Sequence, residues 1–356
     1  MTALSAAELQ QRIKNGEAIM EINLDGLDLQ GCDLSGGIFQ EVSLQGVSLQ
    51  GANLQETVFT ECQLDAVNLS DARLEQTVFN QCEMDKLNAS GLRLVECVFN
   101  QCALADSDFS HSELDKTQFM RCTLDRSRFS QAKLDRSTFF ESPMPGAHID
   151  QCHCLLTTFF GIDLRETNLA ATQCERVVFF ACDQRGKSYA QQQFTGCQFT
   201  DNQLDEVNFS GAQLTQCNFK GASLKGAQLR QVNAMQALFM EADLSGAHCQ
   251  NSLFDQAMFV GSCLDGADFS QSRLFQSILQ QVKAVKSRFA MCNLTYSDFS
   301  GADVCMADFR GATFSRTRFH RARQENALFS DRKGILEYDE ELLAAEAWSI
   351  QRQSRS

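Results

Sequence analysis

At 356 residues the chain could hold about two or three ordinary domains, yet it has only two prolines and three tyrosines beside 28 phenylalanines and 16 cysteines. Its formal net charge of −14 disfavours direct contact with nucleic acid or an anionic membrane. No stretch is apolar enough to cross a bilayer, and the opening residues lack the apolar run of a secretory leader while carrying Glu8, Arg12, Lys14 and Glu17, so a cytoplasmic location is expected.

The chain opens with Ser5-Ala6-Ala7-Glu8, a capping box, followed by Leu9 and Ile13 on one face and Gly16 as a stop. Residues 1–20 are therefore expected to form a helical N-terminal cap. From Leu24 to Phe329 every fifth residue then falls in one unbroken frame, apolar at every position except Gln184 and Gln324. The residue two places before a centre is nearly always small or β-branched, as in Ala52-Asn53-Leu54 and Ala267-Asp268-Phe269. A helix turns every 3.6 residues and a strand alternates every two, so neither sustains this frame. Residues 21–329 must be an internal repeat with a continuous interior. Within it, centres spaced by twenty from Phe39 to Phe319 are all Phe except Leu279, whereas the frame from Leu24 to Gln324 holds no Phe. Four five-residue units thus make one coil, and residues twenty apart stack on one wall.

This grammar resembles the pentapeptide-repeat family, whose units read Ala-(Asp/Asn)-Leu-x-x. The resemblance implies an all-β solenoid, a right-handed quadrilateral β-helix. Its length gives about 15 coils, with short helical caps at both ends and a rod on the order of 75 Å at the ordinary strand spacing. Two disturbances are expected to leave the wall. Pro143 and Pro145 cannot donate to a ladder, so residues 142–147 should bulge. In residues 183–193, Gln184, Lys187 and Gln192 occupy an inward position in each of three consecutive five-residue units, where burial is costly, so a loop is expected there, with a locally widened coil as the alternative. After Phe329 the frame is lost, and residues 330–356 should form a C-terminal cap and tail. A helix is expected over 339–351, with Asp339 as N-cap and Leu343, Ala347 and Ile350 on one stripe. Trp348 lies on it, either capping the last coil or forming with that stripe a candidate homodimer contact.

The cysteines follow the frame. Most occupy inward slots, including the stack Cys62, Cys82, Cys102, Cys122 and the centres Cys154, Cys174 and Cys249, where reduced thiols act as small fillers. In Cys152-His153-Cys154 both thiols should point inward and His153 outward, so a shared metal is not expected. His111, His148, His153, His248 and His320 are scattered, and no phosphate loop, nucleophile elbow or zinc spacing occurs. No enzyme activity, cofactor or metal is expected.

Two binding readings remain. Some acidic pentapeptide-repeat rods resemble duplex DNA and block DNA gyrase, usually as dimers joined at their C-terminal ends, and this chain is similar in fold and sign, with stacked acids such as Asp65 and Asp85. B-DNA of the same length would carry about 44 charges, roughly three times the net density here. Acids also alternate with bases, and Arg310, Arg316, Arg318, Arg321 and Arg323 form a basic patch of the wrong sign. The other reading rests on the outward positions of the Phe wall. Met120, Phe140, Phe160, Val178, Phe180, Leu238, Met240 and Met258 place large apolar groups where the other walls carry polar ones, and contiguous apolar patches mark interaction sites. A protein-binding scaffold, with another protein as partner, is therefore the first expectation, and DNA mimicry directed at a topoisomerase the second. The segment from Glu8 to Leu29 also resembles pentapeptide-repeat proteins found with bacterial type VI secretion components, which implies an effector adaptor or chaperone.

Overall fold

The computed structural model describes residues 4–340, 343–345 and 347–348, and the chain forms two compact units, Met1–Asp183 and Gln184–Ser356. Each is an all-parallel right-handed quadrilateral β-solenoid in which residues twenty apart are bridged partners, as Phe139 is to Phe159 and Asn208 to Gln228.

The first unit begins with a helix, Ala6–Lys14, whose capping box is complete: Ser5 accepts from the Glu8 N–H and the Glu8 carboxylate accepts from the Ser5 N–H. Leu9 and Ile13 are buried, Asn15 is the C-cap, and Gly16 follows at φ +76°. The helix closes the first coil. Gln10 Oε1 accepts from the Asp33 N–H at 2.9 Å, satisfying an edge donor that no earlier coil could reach. Parallel strands then run up the Phe wall from Ile19–Met20 to Val178–Phe180, and a second sheet spans Leu74–Glu75 to Gln173–Glu175.

The remaining corners, and nearly all those of the second unit, are tight turns. In Leu24-Asp25-Gly26-Leu27 the Leu27 N–H donates to the Leu24 carbonyl at 3.0 Å with Gly26 at φ +75°, a type II turn. The same left-handed position is filled elsewhere by Glu, Gln, Arg and other non-glycine residues at φ near +55°, as at Glu61 (φ 53°) and Gln256 (φ 58°). Their backbone N–H groups are held by the next coil, Glu61 donating to Asn80 O at 2.9 Å and Gln256 to Phe275 O at 2.8 Å.

The interior of each unit is apolar and rich in aromatic rings. Phe39, Phe59, Phe79, Phe99, Phe119, Phe139 and Phe159 stack at centroid steps of 4.8 to 5.1 Å, and Phe109 and Phe129 meet that column edge-on. In the second unit Phe199, Phe219, Phe239 and Phe259 repeat at 4.9 Å.

Both expected loops are absent. Residues 142–147 stay in the wall: Met144 is fully buried, and Leu124 and Arg126 donate to the Pro143 and Pro145 carbonyls at 2.8 and 2.9 Å. The prolines lose only their donor role, and their carbonyls keep the ladder. Residues 184–193 also remain coiled within the second unit, where Gln184 N donates to Gln203 O and Tyr189 N to Asn208 O. Gln184 is fully buried because partners come with it: the Tyr189 hydroxyl donates to its Oε1, and its Nε2 donates to Asn202 Oδ1 at 3.0 Å.

The C-terminal cap of the second unit returns as a strand, Ile335–Leu336, paired with Thr317–Arg318. Gln324 donates to Glu337 at 3.1 Å, and Arg332 lies over the Phe329 ring at 4.1 Å. Glu340, Leu343 to Ala345 and Ala347–Trp348 are helical, with the Leu343 N–H donating to Asp339 O. The Asp339 N–H donates to His320 Nδ1 at 3.2 Å and its carboxylate pairs with Arg318 at 3.3 Å, tying the cap to the last coil.

Candidate interaction site

The repeat residues that look chemical in the sequence have backbone duties. Asp or Asn just before a centre accepts from the N–H two residues on, as Asp108 does from Ser110 and Asp268 from Ser270, both at 2.9 Å. Acids just after a centre cap the next coil: Asp65 accepts from the Asp85 N–H at 2.9 Å, and Asp85 from the Ala105 N–H at 2.8 Å. Other acids pair with bases twenty residues on, Glu96 with Lys116, Asp106 with Arg126, Asp108 with Arg128 and Glu113 with Lys133. Hydrogen bonds from Lys116 and Arg126 hold the Glu96 and Asp106 carboxyls below their ordinary range.

The arginine patch is largely neutralised inside its own unit. Arg310 pairs with Asp308 at 2.7 Å, Arg323 with Asp303 at 2.9 Å, and Arg318 with Asp298 and Asp339; Arg316 and Arg321 are exposed at successive corners.

All sixteen cysteines are thiols outside any disulfide, and only Cys32 and Cys263 are more than marginally accessible. Many inward thiols and hydroxyls donate to a centre carbonyl of the previous coil, while Ser112, Ser127, Ser277, Ser287 and Ser297 donate to the centre carbonyl three residues before them. Cys102 reaches Phe79 O at 3.4 Å, Thr117 reaches Leu94 O at 2.9 Å, and Ser142 reaches Phe119 O at 3.0 Å. In the stack, thiol-to-thiol hydrogen bonding and burial push Cys82 and Cys102 up to about 12, and burial raises Cys97 and Cys152 to about 12. Cys122 alone is pulled down, by the hydrogen bond from Cys102. Cys152 and Cys154 are buried and His153 is exposed, and among the described residues no group of three His, Cys, Asp or Glu side chains could hold a metal.

The apolar residues of the outer face come together as a surface. In the first unit Met120, Phe140, Phe160 and Phe180 are register partners on adjacent strands. The Phe140 and Phe160 rings stack at 4.7 Å, and those of Phe160 and Phe180 at 5.2 Å. All four residues, and Val178 beside them, are half-buried rather than covered, since residues 142–147 do not fold over them. In the second unit Leu238 and Met258 are bridged partners, and Met240 is half-buried near them.

Other exposed apolar groups escaped the sequence reading. Leu156 (43% exposed), Met291 (66%), Tyr296 (46%) and Met306 (47%) all occupy left-handed corner positions, outside the inward frame and the two outward columns used to compare walls. Phe275 meets Tyr296 edge-on at 5.9 Å. On the C-terminal helix Leu343 and Trp348 are 37% and 59% exposed and Ala347 is exposed, while Ile350 lies outside the described residues.

The coil and its five-residue grammar match two family models, the pentapeptide repeat region over residues 20–89 and the eight-copy pentapeptide repeats over residues 102–139, 193–231, 237–274 and 292–331, together more than half of the chain. The chain belongs to the pentapeptide-repeat family. Among solved structures it is similar to HetL of Nostoc sp. strain PCC 7120, a pentapeptide repeat protein involved in heterocyst differentiation regulation, at 21% identity over 74% of this chain and 94% of that one, with a TM-score of 0.18. It is also similar to full-length QnrB1, a plasmid-mediated fluoroquinolone resistance protein, at 13% identity over 86% and 99% with a TM-score of 0.14. A pentapeptide repeat protein of the Arabidopsis thaliana thylakoid lumen matches at 24% identity over 29% and 68% with a TM-score of 0.23. No curated protein matches. Among the described residues no helix is long and apolar enough to cross a membrane.

Proposed function

We propose that this pentapeptide-repeat protein is a non-enzymatic scaffold that binds another protein through the outer face of its Phe wall, in a reducing, cytoplasmic setting. The observation that carries this reading is the half-exposed stack of Phe140, Phe160 and Phe180 at 4.7 and 5.2 Å on the wall whose outward positions are apolar where the other walls carry mostly polar residues. β-propensity accounts for valine in such columns, but not for three successive aromatic rings left partly in water. An adaptor holding a secreted effector is one form of this reading, supported only by the residues of the opening segment. DNA mimicry fits less well, because the stacked acids cap backbone groups or pair with bases.

The test is replacement of Phe140, Phe160 and Phe180 together by Ser, followed by affinity capture from a native extract of the source cells. The rings do not support the interior, so the melting temperature should stay within a few degrees while the captured partner is lost. A large fall in melting temperature, or the same partner retained by a well-folded variant, overturns the reading.

A further inference from the structure

Side-chain size gives the outer face of the first unit the outline of a groove beside its apolar patch. Its floor is Thr138, Thr158 and Val178, all half-buried and short. One side is the ridge of Phe140, Phe160 and Phe180, two residues along each strand. The opposite side carries the corner residues Arg136, Leu156 and Arg176, all exposed. Beyond the ridge the corners shrink to Gly161 and Ala181, leaving the ring edges open.

From this shape, and resting on the docking reading above, we infer that the occupant is an amphipathic α-helix of a partner protein, lying along the solenoid axis, with an acidic residue beside its apolar stripe. Three observations select it. The rungs advance by 4.7 and 5.2 Å, and a helix presents successive residues of an i, i+3/i+4, i+7 stripe about 5.2 Å apart, so its knobs meet consecutive rungs. An extended strand along the same axis presents same-face residues about 6.6 Å apart and falls out of step within two rungs. The Phe rings stack face to face at 17° and 13°, and Arg121 lies over the Phe140 ring at 5.7 Å, so the faces between neighbouring rings and that of Phe140 toward Arg121 are occupied and the ring edges line the groove. A sugar chain, which binds aromatic residues by their faces, finds no platform there.

Charge sets the flank. Arg136 is engaged by Asp115 and Asp135, each at 3.0 Å, and Arg121 by Glu141 at 3.0 Å, whereas Arg176, at the groove edge, has no ion pair among the described residues. A carboxylate on the helix one turn from its apolar stripe would meet that guanidinium.

The experiment is selection of random sixteen-residue peptides displayed on phage against the full chain, with counter-selection on the chain carrying Phe140→Ser, Phe160→Ser and Phe180→Ser. Enriched peptides should show apolar residues at i, i+3 or i+4, and i+7 with an acidic neighbour, and should gain helical circular dichroism on binding. Thr158→Arg, which fills the floor and leaves the rings in place, should weaken them at least tenfold. Arg176→Glu should weaken them about threefold, and less so in high salt. Peptides that depend on the rings but bind in extended form, or that tolerate Thr158→Arg, overturn the helix inference and leave the docking reading standing. Failure to enrich any peptide that distinguishes the chain from the triple variant overturns both.

Discussion

Each residue of the five-residue unit has a separate physical task, and the inward small slot shows this best. Alanine there fills space only, whereas Ser, Thr and Cys must also place a hydrogen, and most give it to a centre carbonyl, of the previous coil as Thr117 does or of their own as Ser127 does, which has two lone pairs to offer. Thr117→Val should therefore keep the fold and cost about 1 kcal/mol, as measured by denaturant unfolding. The thiols lead to a pH prediction. Their values in the folded protein are raised from 9.0 to about 12 at Cys82, Cys97, Cys102, Cys152 and Cys292, so above pH 9 the unfolded chain binds fewer protons than the folded one. The stability they contribute is full below pH 9 and is lost as pH rises toward 12, so the melting temperature should fall steadily across that window. At pH 8 a thiol reagent should find few reactive groups in the native protein and nearly all sixteen after denaturation. Rapid native labelling, or a melting temperature flat to pH 11, contradicts the buried thiol arrangement.

At the scale of elements, the N-terminal helix is the cap that protects an otherwise open edge, and Gly37 is its weak point. A Cβ there would stand 2.8 Å from Phe39 Cε2, 2.9 Å from the Leu34 carbonyl oxygen and 3.4 Å from Ile13 Cδ1. Backbone cannot yield as a flexible side chain can, so Gly37→Ala should cost about 1–3 kcal/mol and loosen the helix, seen as faster amide exchange over residues 6–14 than in the parent. The cap was legible in the sequence because Ser5, Glu8, Leu9 and Ile13 each carry a local signal. The coil was legible because a period of five cannot be mistaken for a helix or a strand. What was not legible is which corners are strand and which are tight turn, since Leu74 in a strand and Leu244 in a turn occupy the same frame position. The two misplaced loops came from applying single-residue rules to a cooperative wall. Pro143 still accepts through its carbonyl, and Gln184 is satisfied by Tyr189 and Asn202, partners five and eighteen residues away that a local reading does not pair. The ring stack was legible because strands alternate faces, so a second Phe after an inward one must point outward. Leu156 and Arg176 were missed as groove residues because the corner position was not used in comparing the walls.

For the whole molecule the deciding quantity is how its charge is arranged. Net charge is −14, and beside the exposed column of Glu21, Glu41 and Glu61 many of the acids are engaged within their own unit. They accept from backbone N–H groups or from cations one coil away, as Asp65 does from Asp85 and Glu96 from Lys116. Duplex DNA differs in kind: its phosphates are unpaired within the molecule and regularly spaced, and the proteins that grip it gain affinity by releasing the ions that screen it. A partner built for DNA would find many of these carboxylates already engaged, with Arg126 and Lys133 standing beside Asp106 and Glu113. The exposed pairs contribute little to stability, about 0–1 kcal/mol each, so raising salt from 50 to 500 mM should leave the melting temperature nearly unchanged. The same arrangement predicts that the protein, added at concentrations comparable to the enzyme, does not inhibit DNA supercoiling by gyrase at any salt. Potent inhibition that falls steeply with salt would show that the residual acidic surface suffices, and would move the functional site from the Phe wall to the acidic walls.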